Sequence, residues 1–254
     1  MNALYAEWTK LRTLPGTIWL LAGVVLTTVA VSTLTIAAAS CHAAACGQDP
    51  GRITLTGTDI GQAVVVVLAV LAIGDEYGTG MIRLSLTAVP RRLSLLAAKL
   101  AALTGLVLAA SAVAVTASVI IGRLILPGHG FTTAHGFELG SLGELAGPFR
   151  MIIYLALIAA FSLGVATVVR DSAAAVGIVL GLLYLFPVAA SMVRDHALQR
   201  LLEQIGPMSA GLDAQAASGL RGLPLTPWQG LGVVAAWAAG ALLLGGLALR
   251  IRDA

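Results

Sequence analysis

The reactive side chains of this sequence are few. Cys41, His42 and Cys46 stand close together, but a structural metal site needs further ligands at regular spacing, and one C-x4-C with a single histidine does not supply them. A disulfide between Cys41 and Cys46 and a pair of free thiols are both compatible with this spacing. Ser111, Ser118 and Ser162 lie in apolar runs with no histidine or lysine at comparable depth, so a serine nucleophile would lack its base. A phosphate-binding loop requires a lysine directly after a glycine. The chain has lysine only at positions 10 and 99, and neither follows a glycine. ATP would have to be hydrolysed on another chain.

Two patterns could serve binding rather than catalysis. Thr28, Ser32 and Thr35 recur at i, i+4 and i+7 and share one helix face. They read either as a mildly polar wall of a translocation path or as hydroxyls that bond their own backbone or pack on a neighbouring helix. The segment from Gly74 to Lys99 is more distinctive. Asp75 and Glu76 close an apolar run, and Gly78 and Gly80 permit a turn. Residues 81–89 can form a short helix with Met81, Leu84 and Ala88 on one face, Pro90 stops it, and Arg91 and Arg92 anchor the next apolar run. A short helix held between two membrane helices can transmit force from a docked partner. An ordinary loop on the positive side of a membrane would carry the same residues.

The elements that must position these residues are membrane helices. Of the 254 residues, 58% are hydrophobic and only 11% charged, against about 25% charged in a soluble domain. A mean hydropathy of +0.94 agrees. The expected fold is an all-α integral membrane protein, one permease-like domain over residues 1–254. Six spans are predicted at about 17–39, 55–74, 98–126, 149–169, 172–193 and 228–249. The first apolar run is too long for the core of a signal peptide and reads as a retained span. Residues 1–14 are read as an amphipathic interfacial helix, with Leu4, Trp8, Leu11 and Leu14 on one face and Glu7, Lys10 and Arg12 elsewhere. Arg170 and Asp171 form a tight turn, and Leu198, Leu201, Leu202 and Ile205 mark a second amphipathic stretch. The span interiors are read as free of ionisable groups, which argues against a proton-coupled transporter or an intramembrane metal enzyme.

Six spans place both termini on one side. Of the 15 Lys and Arg residues, nine fall on that side and six on the other, so it is predicted to be cytoplasmic. The net charge of +3 needs no nucleic acid to explain it, because the basic residues flank apolar runs and form no dense patch.

The opening EWTKLRT at 7–13, the segment E-Y-x-x-G-x-I-R from Glu76 to Arg83 followed by LTAVPRR and AAK, the turn VVRDSAAAVG, and the tail PWQGLGVVAAWAAGALLLGGLALRIRDA appear in this order. Together they resemble the type-2 ATP-binding-cassette (ABC) transporter permeases of bacteria, in the branch paired with a separate ATPase. The resemblance implies a bacterial plasma-membrane protein with both termini cytoplasmic. It also implies two copies of an ABC ATPase subunit that bind Mg-ATP, and a second permease, identical or related. This chain itself would then need no cofactor. It maps a cytoplasmic coupling helix between spans 2 and 3 onto about Tyr77–Val89, with Glu76, Tyr77, Gly80, Arg83, Arg91 and Arg92 as ATPase-coupling candidates. Short membrane-dipping helices are implied at about 195–220. The Cys41–Cys46 loop is outside the family's pattern. The expected function is an ATP-driven exporter permease for an amphipathic or hydrophobic substrate such as a drug, peptide antibiotic or lipid. The alternative from another class is a non-transporting membrane scaffold or sensor subunit.

Overall fold

A computed structural model describes residues 2–39, 49–78, 92–131, 142–215 and 225–251, and every regular element among them is helical. Helix α1, Asn2–Thr13, is followed by Leu14 in an extended conformation, and Pro15 opens α2, Pro15–Ala38. Proline suits the first turn of a helix, where its missing N–H would have no partner. Asp49 caps α3, Pro50–Leu55, by accepting the Gly51 N–H at 2.9 Å. Helix α4 is Thr58–Gly78 and α5 is Arg92–Ile125. A 3-10 turn at Leu126–His129 ends α5, closed by Gly130 in the left-handed region at φ 89°. Helix α6, Leu142–Val169, and α7, Ser172–Met192, are joined by Arg170 and Asp171 alone. The short helices α8, His196–Ile205, and α9, Pro207–Leu212, lead through a 3-10 turn at Asp213–Gln215 toward α10, Pro227–Ile251.

Six helical stretches are long and apolar enough to cross a membrane: Pro15–Ala38, Pro50–Gly78, Leu93–His129, Leu145–Val169, Ser172–Met192 and Pro227–Ile251. The side of the bundle that carries α1 and the end of α10 is called proximal here, and the opposite side distal. Helices α4 and α6 are the most buried spans and form the centre. Val65, Val66, Leu103, Leu155, Ile158 and Val179 are fully enclosed between them and their neighbours. Large apolar side chains such as Leu26, Leu34, Ile120, Leu185 and Leu243 point outward, as expected where the solvent is hydrocarbon.

Packing between spans relies on small residues, since lipid removes the hydrophobic drive for helices to associate. A Cβ on Gly164 of α6 would lie 2.6 Å from the Ala241 carbonyl carbon of α10, and one on Gly245 would lie 3.0 Å from the Gly164 oxygen. The break between α3 and α4 has the same origin. A Cβ on Gly57 would stand 2.5 Å from Ser32 Oγ and 2.8 Å from the Thr28 carbonyl carbon of α2, and the Gly57 N–H donates to Ser32 Oγ at 3.1 Å.

Three boundaries differ from the sequence reading. The second span is a bent pair, α3 and α4, and runs to Gly78 rather than Gly74. The third begins at Arg92 rather than 98, and the fourth helix begins at Leu142 rather than 149. In α1, Glu7 and Leu11 are the buried residues while Leu4 and Leu14 are exposed, so part of the expected polar face turns to the protein.

Candidate functional site

Outside the span interiors that the sequence reading left uncharged, ionisable groups are buried at the proximal end of the bundle. Glu76 in the last turn of α4 and Lys99 in α5 are 3% and 2% exposed. The Lys99 ammonium donates to Glu76 Oε1 at 2.6 Å and to Glu7 Oε2 of α1 at 2.9 Å. Lys10 of α1 donates to the same Glu76 oxygen. Two carboxylates and two ammonium groups, from three elements, make a cluster with no net charge. Burying a single ion costs several kcal/mol, and mutual pairing offsets that cost. The arrangement explains why α5 continues as helix through Lys99, and why α1 lies with Glu7 inward.

The next residue, Tyr77, is held from the other side. The Arg170 guanidinium lies 5.5 Å from the centre of its ring, a cation–π distance. Arg170 has φ 63°, the one non-glycine residue with positive φ among those described, and this conformation lets α6 turn into α7 without a loop. Asp171 then caps α7 by accepting the Ala174 N–H at 2.7 Å. The α6–α7 turn presses on α4 closely enough that a Cβ on Gly74 would overlap Ser172 Oγ. The end of α4, from which residues 79–91 depart, is thus clamped to α1 and α5 on one side and to the α6–α7 turn on the other.

A second polar network lies toward the distal side. Tyr154 of α6 donates to Gln62 Oε1 of α4, and Gln62 Nε2 donates to the Asp59 carbonyl at 3.1 Å. Tyr184 of α7 donates to the same carbonyl at 2.6 Å. Gln215 Nε2 reaches Asp59 Oδ1 at 2.9 Å, and Arg150 Nε donates to the Ala214 carbonyl at 3.1 Å. Helices α8 and α9 meet at Gly206; α8 buries no residue, whereas α9 buries Pro207, Met208, Ala210 and Gly211. Trp237, near the middle of the 25-residue α10, donates its Nε1–H to the Ile205 carbonyl at 2.9 Å. The rings of Phe161 and Phe186 meet Trp237 edge-on at 5.9 and 6.2 Å. The short helices α8 and α9 fall within the 195–220 segment singled out in the sequence.

Of the coupling candidates, Glu76 and Tyr77 are brought together as the clamped base of the segment. Gly80, Arg83 and Arg91 lie outside the described residues, as does the expected helix at 81–89, and Arg92 is placed only as the first residue of α5. Cys41 and Cys46 also lie outside the described residues. Thr28 and Ser32 are buried against the Gly57–Gly61 stretch, where a Cβ on Gly61 would overlap Thr28 Oγ1. Thr35 bonds its own helix at Ser32 O, 2.8 Å, and reaches Ile53 O of α3 at 3.3 Å. In the isolated chain this face packs helices together. Sequence reasoning missed Glu7, Lys10 and Lys99 as one cluster. The available signal was slight: Lys10 stands three residues from Glu7, and Lys99 lies one residue inside the predicted start of the third span.

Comparison with known proteins gives one family. The family model described as ABC-2 family transporter protein matches residues 3–188. No curated protein matches the chain.

Proposed function

Because the chain belongs to the ABC-2 transporter family, we propose that this multi-pass membrane permease serves an ATP-driven exporter and forms the path of an amphipathic or hydrophobic substrate. In this reading an ABC ATPase subunit, present in two copies and holding Mg-ATP, docks on residues 78–91 from the cytoplasm. A second permease, a copy of this chain or a relative, completes the path. The termini and the proximal side are cytoplasmic, and the membrane is a bacterial plasma membrane.

The observation that carries the reading is the clamped end of α4. A push on the segment after Gly78 meets a helix end fixed to α1 and α5 by the Glu7–Lys99–Glu76–Lys10 cluster and to α6 and α7 through Tyr77 and Arg170. Displacement there is delivered to five helices at once, as rigid-body gating requires. Within this scheme Glu76 and Tyr77 anchor the segment. Gly80, Arg83, Arg91 and Arg92 are left as the candidates for contact with the ATPase. Thr28, Ser32 and Thr35 would join a path only if α2 moves away from α3 and α4.

The test removes residues 78–89 from the full chain and measures co-purification of the ATPase and ATP-dependent flux in vesicles. Loss of both from a correctly inserted chain is expected. Retained binding with retained flux would sink the assignment, and binding without any flux in the intact protein would favour a scaffold or sensor.

A further inference from the structure

The second span is broken between α3 and α4, and the break takes a backbone carbonyl away from its helical donor. In an unbroken helix the Asp59 N–H would donate to the Leu55 carbonyl. It donates instead to the Thr56 carbonyl at 3.0 Å. The Leu55 carbonyl accepts from side chains, the Thr58 hydroxyl and the Gln215 amide, whose Nε2 lies at 3.5 Å. The same nitrogen lies 3.3 Å from Thr58 Oγ1 and 2.9 Å from Asp59 Oδ1. Leu55 ends α3, and Thr58 and Asp59 open α4. One amide thus bridges both sides of the break, with its shortest contact to a carboxylate, the stronger kind of acceptor.

The turn that carries Gln215 is itself held. Asp213, Ala214 and Gln215 are all buried. Arg150 of α6 donates from Nε to the Ala214 carbonyl at 3.1 Å. A Cβ on Gly51 of α3 would lie 3.3 Å from the Gln215 carbonyl oxygen, and one on Gly147 of α6 would lie 3.5 Å from it. The turn is therefore wedged between α3 and α6, with the Gln215 side chain reaching α4. These ties are polar and lie out of water, so each is costly to leave unmade and all can be exchanged for water once the site is wetted. Such a contact has two states, closed and dry or open and wet, rather than a continuum of positions.

We propose that Gln215 is a pin that holds the joint of the second span at one bend, and that its withdrawal frees α3 from α5. Thr54 of α3 faces α5, where a Cβ on Gly122 would stand 2.8 Å from Thr54 Oγ1. This surface opens when α3 tilts. The proposal rests on the permease reading only for what the motion serves, an opening on the distal side. The pin itself needs neither ATPase nor flux.

The test uses the full chain in nanodiscs, carrying Cys41→Ser and Cys46→Ser, with a membrane-impermeant charged thiosulfonate as the probe. Thr54→Cys reports on the face of α3. Ser162→Cys, at a fully buried position of α6, reports on the rest of the bundle. Gln215→Met keeps the length of the side chain and removes the donor. It should speed labelling at Thr54→Cys by about tenfold or more, the scale of a lost hydrogen bond to a charged acceptor, and leave labelling at Ser162→Cys unchanged. Asp59→Ala removes the acceptor without touching the turn, and it keeps the Asp59 backbone carbonyl that Tyr184 uses. It should speed labelling to a similar extent, and it carries the test if Gln215→Met fails to fold. The two together should gain no more than either alone, because they break one tie. Unchanged labelling at Thr54→Cys in a folded variant, an equal rise at Ser162→Cys, or effects that multiply would overturn the proposal. A pin that behaves as expected in a chain that never supports ATP-dependent flux would refute the permease reading and not this one.

Discussion

Replacing Lys99 with methionine tests the proximal cluster most directly. Methionine keeps the length of the side chain and removes the charge. Lys99 contacts Glu76 at 2.6 Å and Glu7 at 2.9 Å, and all three groups are buried. At an effective dielectric of about 20, each opposed pair near 4 Å is worth roughly 4 kcal/mol before desolvation. Desolvation offsets much of that, and breaking a buried pair by removing one partner typically costs about 3–5 kcal/mol. Lys10 is different. Its side chain is 34% exposed, so solvent screens it and Lys10→Met should cost about 1 kcal/mol or less. The assay is reversible unfolding in mixed micelles of the full chain, combined with amide exchange over residues 2–13. Lys99→Met should be several-fold more damaging than Lys10→Met and should speed exchange in α1 before it does so in α4 or α6. A double-mutant cycle with Glu76→Gln should show a coupling of about 1–3 kcal/mol. Equal costs for the two lysines, or strict additivity with Glu76→Gln, would refute the claim that the cluster holds α1 to the bundle.

Other perturbations follow from the same geometry. Gly57→Ala places a methyl group against the backbone of α2 and should cost about 1–3 kcal/mol or more in the same unfolding assay. Gly177→Ala and Gly181→Ala meet open space and should not destabilise the fold. Trp237→Phe keeps an aromatic ring and removes the bond to the Ile205 carbonyl, so it should cost about 1 kcal/mol and raise amide exchange over 196–212 without changing it over 58–78. Burial pushes the Asp213 carboxyl up to about 6 from its ordinary 3.8, with Arg52 lowering it and Glu203 raising it further. The folded chain therefore keeps this proton to higher pH than the unfolded one. The relative stabilisation from this side chain is full below about pH 3.8 and is lost as pH rises through about 6. Asp213→Asn should raise the unfolding midpoint at pH 7.5 and leave it nearly unchanged at pH 4. A gain that is the same at both pH values would remove ionisation as its cause.

The six apolar runs were legible because hydrocarbon imposes a length and a composition on anything that crosses it. The tight turn at Arg170 and Asp171 was legible too, since no other residues separate two such runs. The start of the third span was not. Arg91, Arg92 and Lys99 make the region from 91 to 99 look like loop, and only Glu7 and Glu76, distant in the chain, neutralise Lys99 and keep it helical. The same partner explains α1. A stripe of Leu4, Trp8, Leu11 and Leu14 reads as an interfacial apolar face, and what it does not reveal is that Glu7 turns to the protein to meet Lys99 while Leu4 and Leu14 stay exposed. The second amphipathic stretch was read correctly as helix, and Leu198, Leu201 and Ile205 are exposed on it. Its end is tied to an indole N–H in another span, a contact which no local pattern reveals.

The two-residue connection between α6 and α7 leaves no slack. Asp171 is occupied as a cap, and Arg170 is fixed by its left-handed backbone and its stack on Tyr77. A joint braced in this way would carry the two spans together in the proposed gating. In that scheme the breaks in helix at Thr56–Gly57 and at Val193–Asp195 are places where bending would be absorbed. Any reagent that stiffens those two places should lock the machine in whichever posture it was caught.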